Sequence, residues 1–199
     1  YIDAPLVTSG DISMIMESGN GGGSTLTLAG NIEGANSIIS LNNGKGTVNF
    51  GNLLLSGDNS NFSGKWEATI YSNRYPSVAG YISTIEGKSE NAFGKGSIVI
   101  GLDNKVIFSH PKAAGDSLVL FLNDNAKALL NVDVEVDKFI LNGVAVDTGT
   151  YSVDSHPEFF EGIGKIIPSF FESLENIEFF NTLYSTLEDF GIVLIILFV

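Results

Sequence analysis

Short apolar runs recur along the chain, and each closes on a corner of Gly, Asn, Asp or Ser. Residues 24–29 read STLTLA, with Leu26 and Leu28 alternating against Thr25 and Thr27. That period of two is the mark of a half-buried strand. Further runs fall at 6–8, 12–16, 37–41, 47–55, 97–101, 105–109, 117–122, 128–136 and 138–141, and 157–167 supplies a last strand. In 132–137 the alternation is strict, three valines against three acids. The chain through residue 167 is therefore expected to be all-β.

Runs spaced this way suit either an antiparallel β-sandwich or a coiled solenoid. A near-repeat favours the second. Leu26-Thr27-Leu28-Ala29-Gly30-Asn31 and Leu53-Leu54-Leu55-Ser56-Gly57-Asp58 share one order: apolar strand, small residue, Gly, Asn or Asp. They lie 27 positions apart, a length that fits one turn of a β-solenoid. One turn alone cannot bury its inward side chains, so stacking supplies the core. The 23 glycines fit many tight corners.

Residues 26–31 (LTLAGN), 53–66 (LLLSGDNSNFSGKW) and 92–100 (AFGKGSIVI) resemble the autotransporter-associated β-strand repeats of bacterial surface and secreted proteins. Those repeats read Leu-x-Leu-x-Gly-x-Asn, then an aromatic-Ser/Thr-Gly-Gly step, then a small-Leu/Phe-Gly-x-Gly strand. Residues 120–130, 136–146 and 147–151 are similar to the closing segment of such passengers. The resemblance implies a right-handed parallel β-helix displayed outside the cell. One departure is Lys65-Trp66, which follows Phe62-Ser63-Gly64 where the repeats carry a second Gly.

Charge narrows the partners. A net charge of −13 disfavours nucleic acid, whose phosphates need Lys and Arg, and anionic membrane surfaces. The absence of cysteine excludes disulfides, thiolate nucleophiles and Cys-ligated metals. The start at Tyr1 reads as a processed mature protein or an excised fragment.

Candidate chemistry is sparse. Asp133, Glu135 and Asp137 form an acidic stripe with the carboxylate oxygens that Ca²⁺ favours. A solvated face that guards against edge pairing is the simpler reading; otherwise no cofactor is expected. The aromatic insert at 65–92 brings Trp66, Tyr71, Tyr75 and Tyr81 near the sole arginine, Arg74. Aromatic faces stack on sugar rings, so these five are the candidates for a carbohydrate-binding module. The competing reading puts Trp66 in the core and the tyrosines at strand edges. His110 and His156, each before a proline, are the only histidines, and both read as turn residues.

The last stretch changes character. Residues 168–190 show a helical stripe of Phe170, Phe171, Leu174, Ile177, Phe180, Leu183, Tyr184 and Leu187, with Pro168 as a first-turn residue. Gly191 ends it, and Ile192, Val193, Leu194, Ile195, Ile196, Leu197, Phe198 and Val199 follow without a polar break. Eight residues are too few to span a bilayer as a helix. Exposed, they would aggregate. Three placements are open: they fold back on their own domain, they are donated to a neighbour, or they begin a longer anchor.

The expectation is a β-solenoid domain at 1–167 and a cap or assembly segment at 168–199. The expected role is an extracellular structural or adhesive protein that associates with itself, with other surface proteins or with glycans, and is not an enzyme. The alternatives are a carbohydrate-binding module and a polysaccharide-active β-helix enzyme.

Overall fold

The computed structural model describes residues 1–16, 24–43, 51–69, 83–146 and 149–169. The chain divides into two compact units, Tyr1–Ser169 and Phe170–Val199. The residues expected to form the amphipathic helix, after Ser169, and the apolar terminal strand lie outside the described residues.

The first unit is all-β among the described residues. Its strands begin with β1 (Leu6–Val7), β2 (Ile12–Met16), β3 (Ser24–Leu28), β4 (Ile32–Glu33), β5 (Ile38–Asn43) and β6 (Gly51–Leu55). They continue with β7 (Lys65–Ala68), β8 (Thr84–Gly87), β9 (Ser97–Ile100), β10 (Lys105–Phe108), β11 (Val119–Leu122) and β12 (Lys127–Leu130). The last are β13 (Val134–Val136), β14 (Lys138–Leu141), β15 (Val144–Val146), β16 (Phe160–Gly162) and β17 (Ile166–Pro168). Sheet I has the order β3-β6-β8-β10-β12-β16, and sheet II the order β2-β5-β7-β9-β11-β14-β15. From β5 to β12 the chain visits the two sheets alternately. Two small sheets, β1-β4 and β13-β17, complete the set.

Among the described residues every strand pair is parallel except β14-β15. This corrects the antiparallel-sandwich alternative: apart from β14-β15, no described strand pairs with its sequence neighbour. The parallel sheets are compatible with a β-solenoid. The expected offset is the observed register, since Leu26 pairs with Leu53 and Leu28 with Leu55. Later circuits change length. Asn52 meets Thr84 32 positions on, and Ser109 reaches Asn131 22 positions on.

The reason is local. From β7 to β12 each strand is four residues long and reads outward, inward, outward, inward. Only those four residues must stay in register, and the corners absorb the rest. The inward positions stack like on like. Leu53, Ile85, Val106, Ala128 and Phe160 line up through sheet I, and Ile39, Trp66, Ile98, Leu120 and Phe139 through sheet II. All ten are buried. Each large one contributes roughly 1.5–3 kcal/mol by leaving water. Ring pairs such as Phe62–Trp66 at 5.0 Å and Phe93–Phe108 at 5.1 Å fill the space between circuits.

At Gly96 the circuits pass too closely for a side chain. A Cβ there would overlap the carbonyl oxygen of Gly64, one circuit below.

Two strand boundaries differ from expectation. Residues 128–136 read as one apolar run, but the chain bends between β12 and β13 and serves two different sheets. Pro168, read as the first residue of a helix, is the last residue of β17 and pairs with Val136. The N–H of Ser169 donates to the Val136 carbonyl at 2.6 Å. Proline is tolerated there because β17 is an edge strand of a two-stranded sheet.

Candidate functional site

The strands of sheet II end on a column of corners. After β9 comes the turn Gly101-Leu102-Asp103-Asn104, closed by Asn104 N–H to the Gly101 carbonyl at 3.1 Å. After β11 comes Asn123-Asp124-Asn125-Ala126, closed the same way at 3.0 Å. After β14 comes Asn142-Gly143, with φ of 50° and 78°. Both residues are left-handed and two positions link the strands, so this is a type I′ hairpin loop. The corners are bonded to one another at ladder spacing. Asn123 N–H donates to the Ile100 carbonyl at 2.9 Å, and Asn142 N–H to the Leu122 carbonyl at 2.9 Å.

These corners enclose an open depression of about 740 Å³, lined by Leu102, Asn123, Asp124, Asn125, Asn142 and Gly143. Three carboxamides and one carboxylate converge there, and Leu102 adds an apolar wall that is 39 % exposed. Leu102 (φ 49°), Asp103 (φ 63°), Asp124 (φ 54°) and Asn142 all hold left-handed backbone. Asn and Asp tolerate that region, whereas a leucine there is strained.

The strain is held from beneath. Asn104, buried and 2 % exposed, donates to the Gly101 carbonyl at 2.7 Å and the Ala68 carbonyl at 3.1 Å, and accepts from Ser83 N–H at 3.0 Å. One carboxamide thus ties three backbone segments under the first corner and fixes its shape.

The sequence candidates fall elsewhere. Trp66 is 0 % exposed. Its indole N–H donates to the Phe93 carbonyl at 2.9 Å, and its ring has no free face for a sugar. As a stacking platform Trp66 is corrected: it is a core residue of β7. Tyr71, Arg74, Tyr75 and Tyr81 lie outside the described residues, as do Ile192–Val199.

Asp133 and Glu135 are exposed and Asp137 half-buried, with Val134 and Val136 turned inward. Among the described residues no group of three or more His, Asp or Glu side chains comes together as metal ligands. His110 accepts from the N–H of Lys112 within its own turn, and His156 lies against Tyr151 and Phe160.

Several paired carboxylates cross-link strands. Lys105 reaches Glu161 at 2.6 Å, Ser109 donates to Glu86 at 2.7 Å, and Ser40 to Glu67 at 3.2 Å. Asp58 is the one described group whose acidity is clearly shifted. The backbone N–H of Ser60 holds its carboxyl below the ordinary value, against desolvation and with help from the Ser60 and Asn91 side chains.

The corner residues carried a signal in the sequence. GLDN, LNDN and LNG follow three strands of one sheet, but only the pairing shows that they stack. Comparison with family models, curated proteins and solved structures gives no match. Among the described residues no helix is long and apolar enough to cross a membrane.

Proposed function

We propose that the chain is a structural and adhesive protein of the cell exterior. In this reading Tyr1–Ser169 is a right-handed parallel β-helix of the autotransporter-repeat kind, and the apolar segment Ile192–Val199 joins copies or partners. The observation that carries it is the set of in-register parallel ladders that runs from β3 to β16 in sheet I and from β2 to β14 in sheet II. Such a core is built by repetition and presents a long lateral surface. The carboxylates Glu67, Glu86 and Glu161 are engaged in cross-strand contacts, which suits a scaffold more than a catalyst.

The test is assembly of the full chain against a chain ending at Phe190. The expected result is fibres or higher oligomers of the full chain in negative stain and sedimentation, and a monomeric shortened chain with unchanged β-sheet circular dichroism. A full chain that remains monomeric overturns the assembly role. Polymerisation by the shortened chain removes Ile192–Val199 as its agent.

A further inference from the structure

The corner groove has the chemistry of a binding site for a neutral saccharide. We propose that Asn123, Asp124, Asn125, Asn142 and Leu102 bind the hydroxyl groups and one C–H face of an uncharged oligosaccharide. The proposal gives the adhesive reading a ligand class and rests on that reading only for its biological setting.

The donor and acceptor count comes first. Each carboxamide offers two N–H donors and an acceptor oxygen, and the Asp124 carboxylate offers acceptors only. A vicinal diol presents a donor and an acceptor at each hydroxyl, which is the complement of that set. None of these four side chains is committed to a protein hydrogen bond among the described residues. They come from two successive corners, three from the Asn123–Ala126 turn and Asn142 from the next, while Leu102 stands on the corner before them.

Charge selects within polar ligands. The lining has one carboxylate and no Lys or Arg, on a protein of net charge −13. Phosphorylated or uronic-acid ligands are repelled. A calcium ion wants six to eight oxygens, usually with several carboxylates, and the groove supplies one carboxylate. Leu102 provides the apolar surface that the C–H face of a pyranose covers.

Rigidity is the remaining requirement. Binding by exposed amides is weak when each must be frozen on contact, and a preset backbone lowers that cost. Here the corners are locked by ladder hydrogen bonds, and the first is pinned by buried Asn104. Left-handed residues sit at each corner, and strained backbone of this kind gathers where a site is built.

The experiment uses the full chain on an array of immobilised neutral glucans, mannans and galactans, with polygalacturonate and Ca²⁺ alone as comparison probes. The decisive variant is Asp124→Gly with Asn142→Gly. Glycine accepts the left-handed backbone at both positions, so the corners stay formed while the carboxylate and one carboxamide are removed. Unchanged circular dichroism and melting check this, and Asn125→Ala is the independent second variant.

The expected result is capture of at least one neutral class by the parent and about tenfold or greater weakening in the double variant. No capture by the parent overturns the proposal. So does capture unaffected by either variant, or binding of polygalacturonate or Ca²⁺ alone. Fibre formation, read separately by negative stain, is untouched by these variants, so failure of the groove and failure of the assembly role are distinguishable.

Discussion

The side-chain amide of Asn59 donates to the backbone carbonyl of Ala92 at 2.6 Å in the protein interior, 33 positions along the chain. The same carboxamide accepts from Ile32 N–H at 2.7 Å. Asn59 is fully buried and so bridges the circuit below to the circuit above. A buried amide with both ends satisfied holds register where apolar stacking alone tolerates a slip.

Asn59→Ala leaves a buried N–H and a buried carbonyl without partners. The expected loss is about 2–4 kcal/mol of unfolding free energy, read by urea denaturation. Asn61→Ala, two positions on and exposed, should change stability by no more than about 0.5 kcal/mol. Equal effects at both positions would remove Asn59 as a bridge.

Gly96→Ala puts a methyl group onto the Gly64 carbonyl. Backbone must move on one circuit or the other, at a cost of about 3 kcal/mol or more. Gly10 has open space around its Cβ position, so Gly10→Ala is the control, expected within about 0.5 kcal/mol. Thermal melting of the two variants decides between a steric and a purely conformational role for the glycine.

Trp66 is the only tryptophan, which makes it a clean reporter. Its emission should be blue-shifted in the native protein, resist iodide quenching and move to the red on unfolding. Trp66→Phe removes the donor to the Phe93 carbonyl and should cost about 1–3 kcal/mol. Added oligosaccharide should leave the emission unchanged. A shift on adding sugar would return Trp66 to the list of ligand contacts.

Asp58 carries a pH dependence with a definite sign. Its carboxyl is held below the ordinary value of 3.8, chiefly by the Ser60 N–H. The folded form therefore favours the ionised carboxylate. Its contribution is complete above that ordinary value and is lost as pH falls through the lower folded value. The group is exposed, so the effect is small and screened by salt. Asp58→Ala should flatten stability-against-pH curves in that acid window, with a small loss of stability at neutral pH that disappears below the window.

Much of the scaffold was legible in the sequence, and the reason is repetition. The match of Leu26–Asn31 to Leu53–Asp58 is the register itself, because both segments occupy the same place on successive circuits. Valines alternating with acids at 132–137 gave the inward face of β13 directly.

Later circuits were harder to read. Corners free of register constraints change length, so no single period spans the chain. The bend at Asn131–Asp133 was hidden because valine suits a strand on either side of it. Pro168 misled because its fixed φ suits a first helical turn and an edge strand alike.

The groove was the least legible part. Asn123, Asp124 and Asn142 read as ordinary turn formers, and nothing in their spacing shows that three turns share one wall. Trp66 was conspicuous for the opposite reason: a lone tryptophan draws attention whether or not it reaches the surface.

Sheet II begins at β2, which runs with its neighbours, and closes on β15, which runs against them. The first unit therefore has a direction. Its two tips present backbone groups in different patterns, so a partner that recognises one tip is blind to the other.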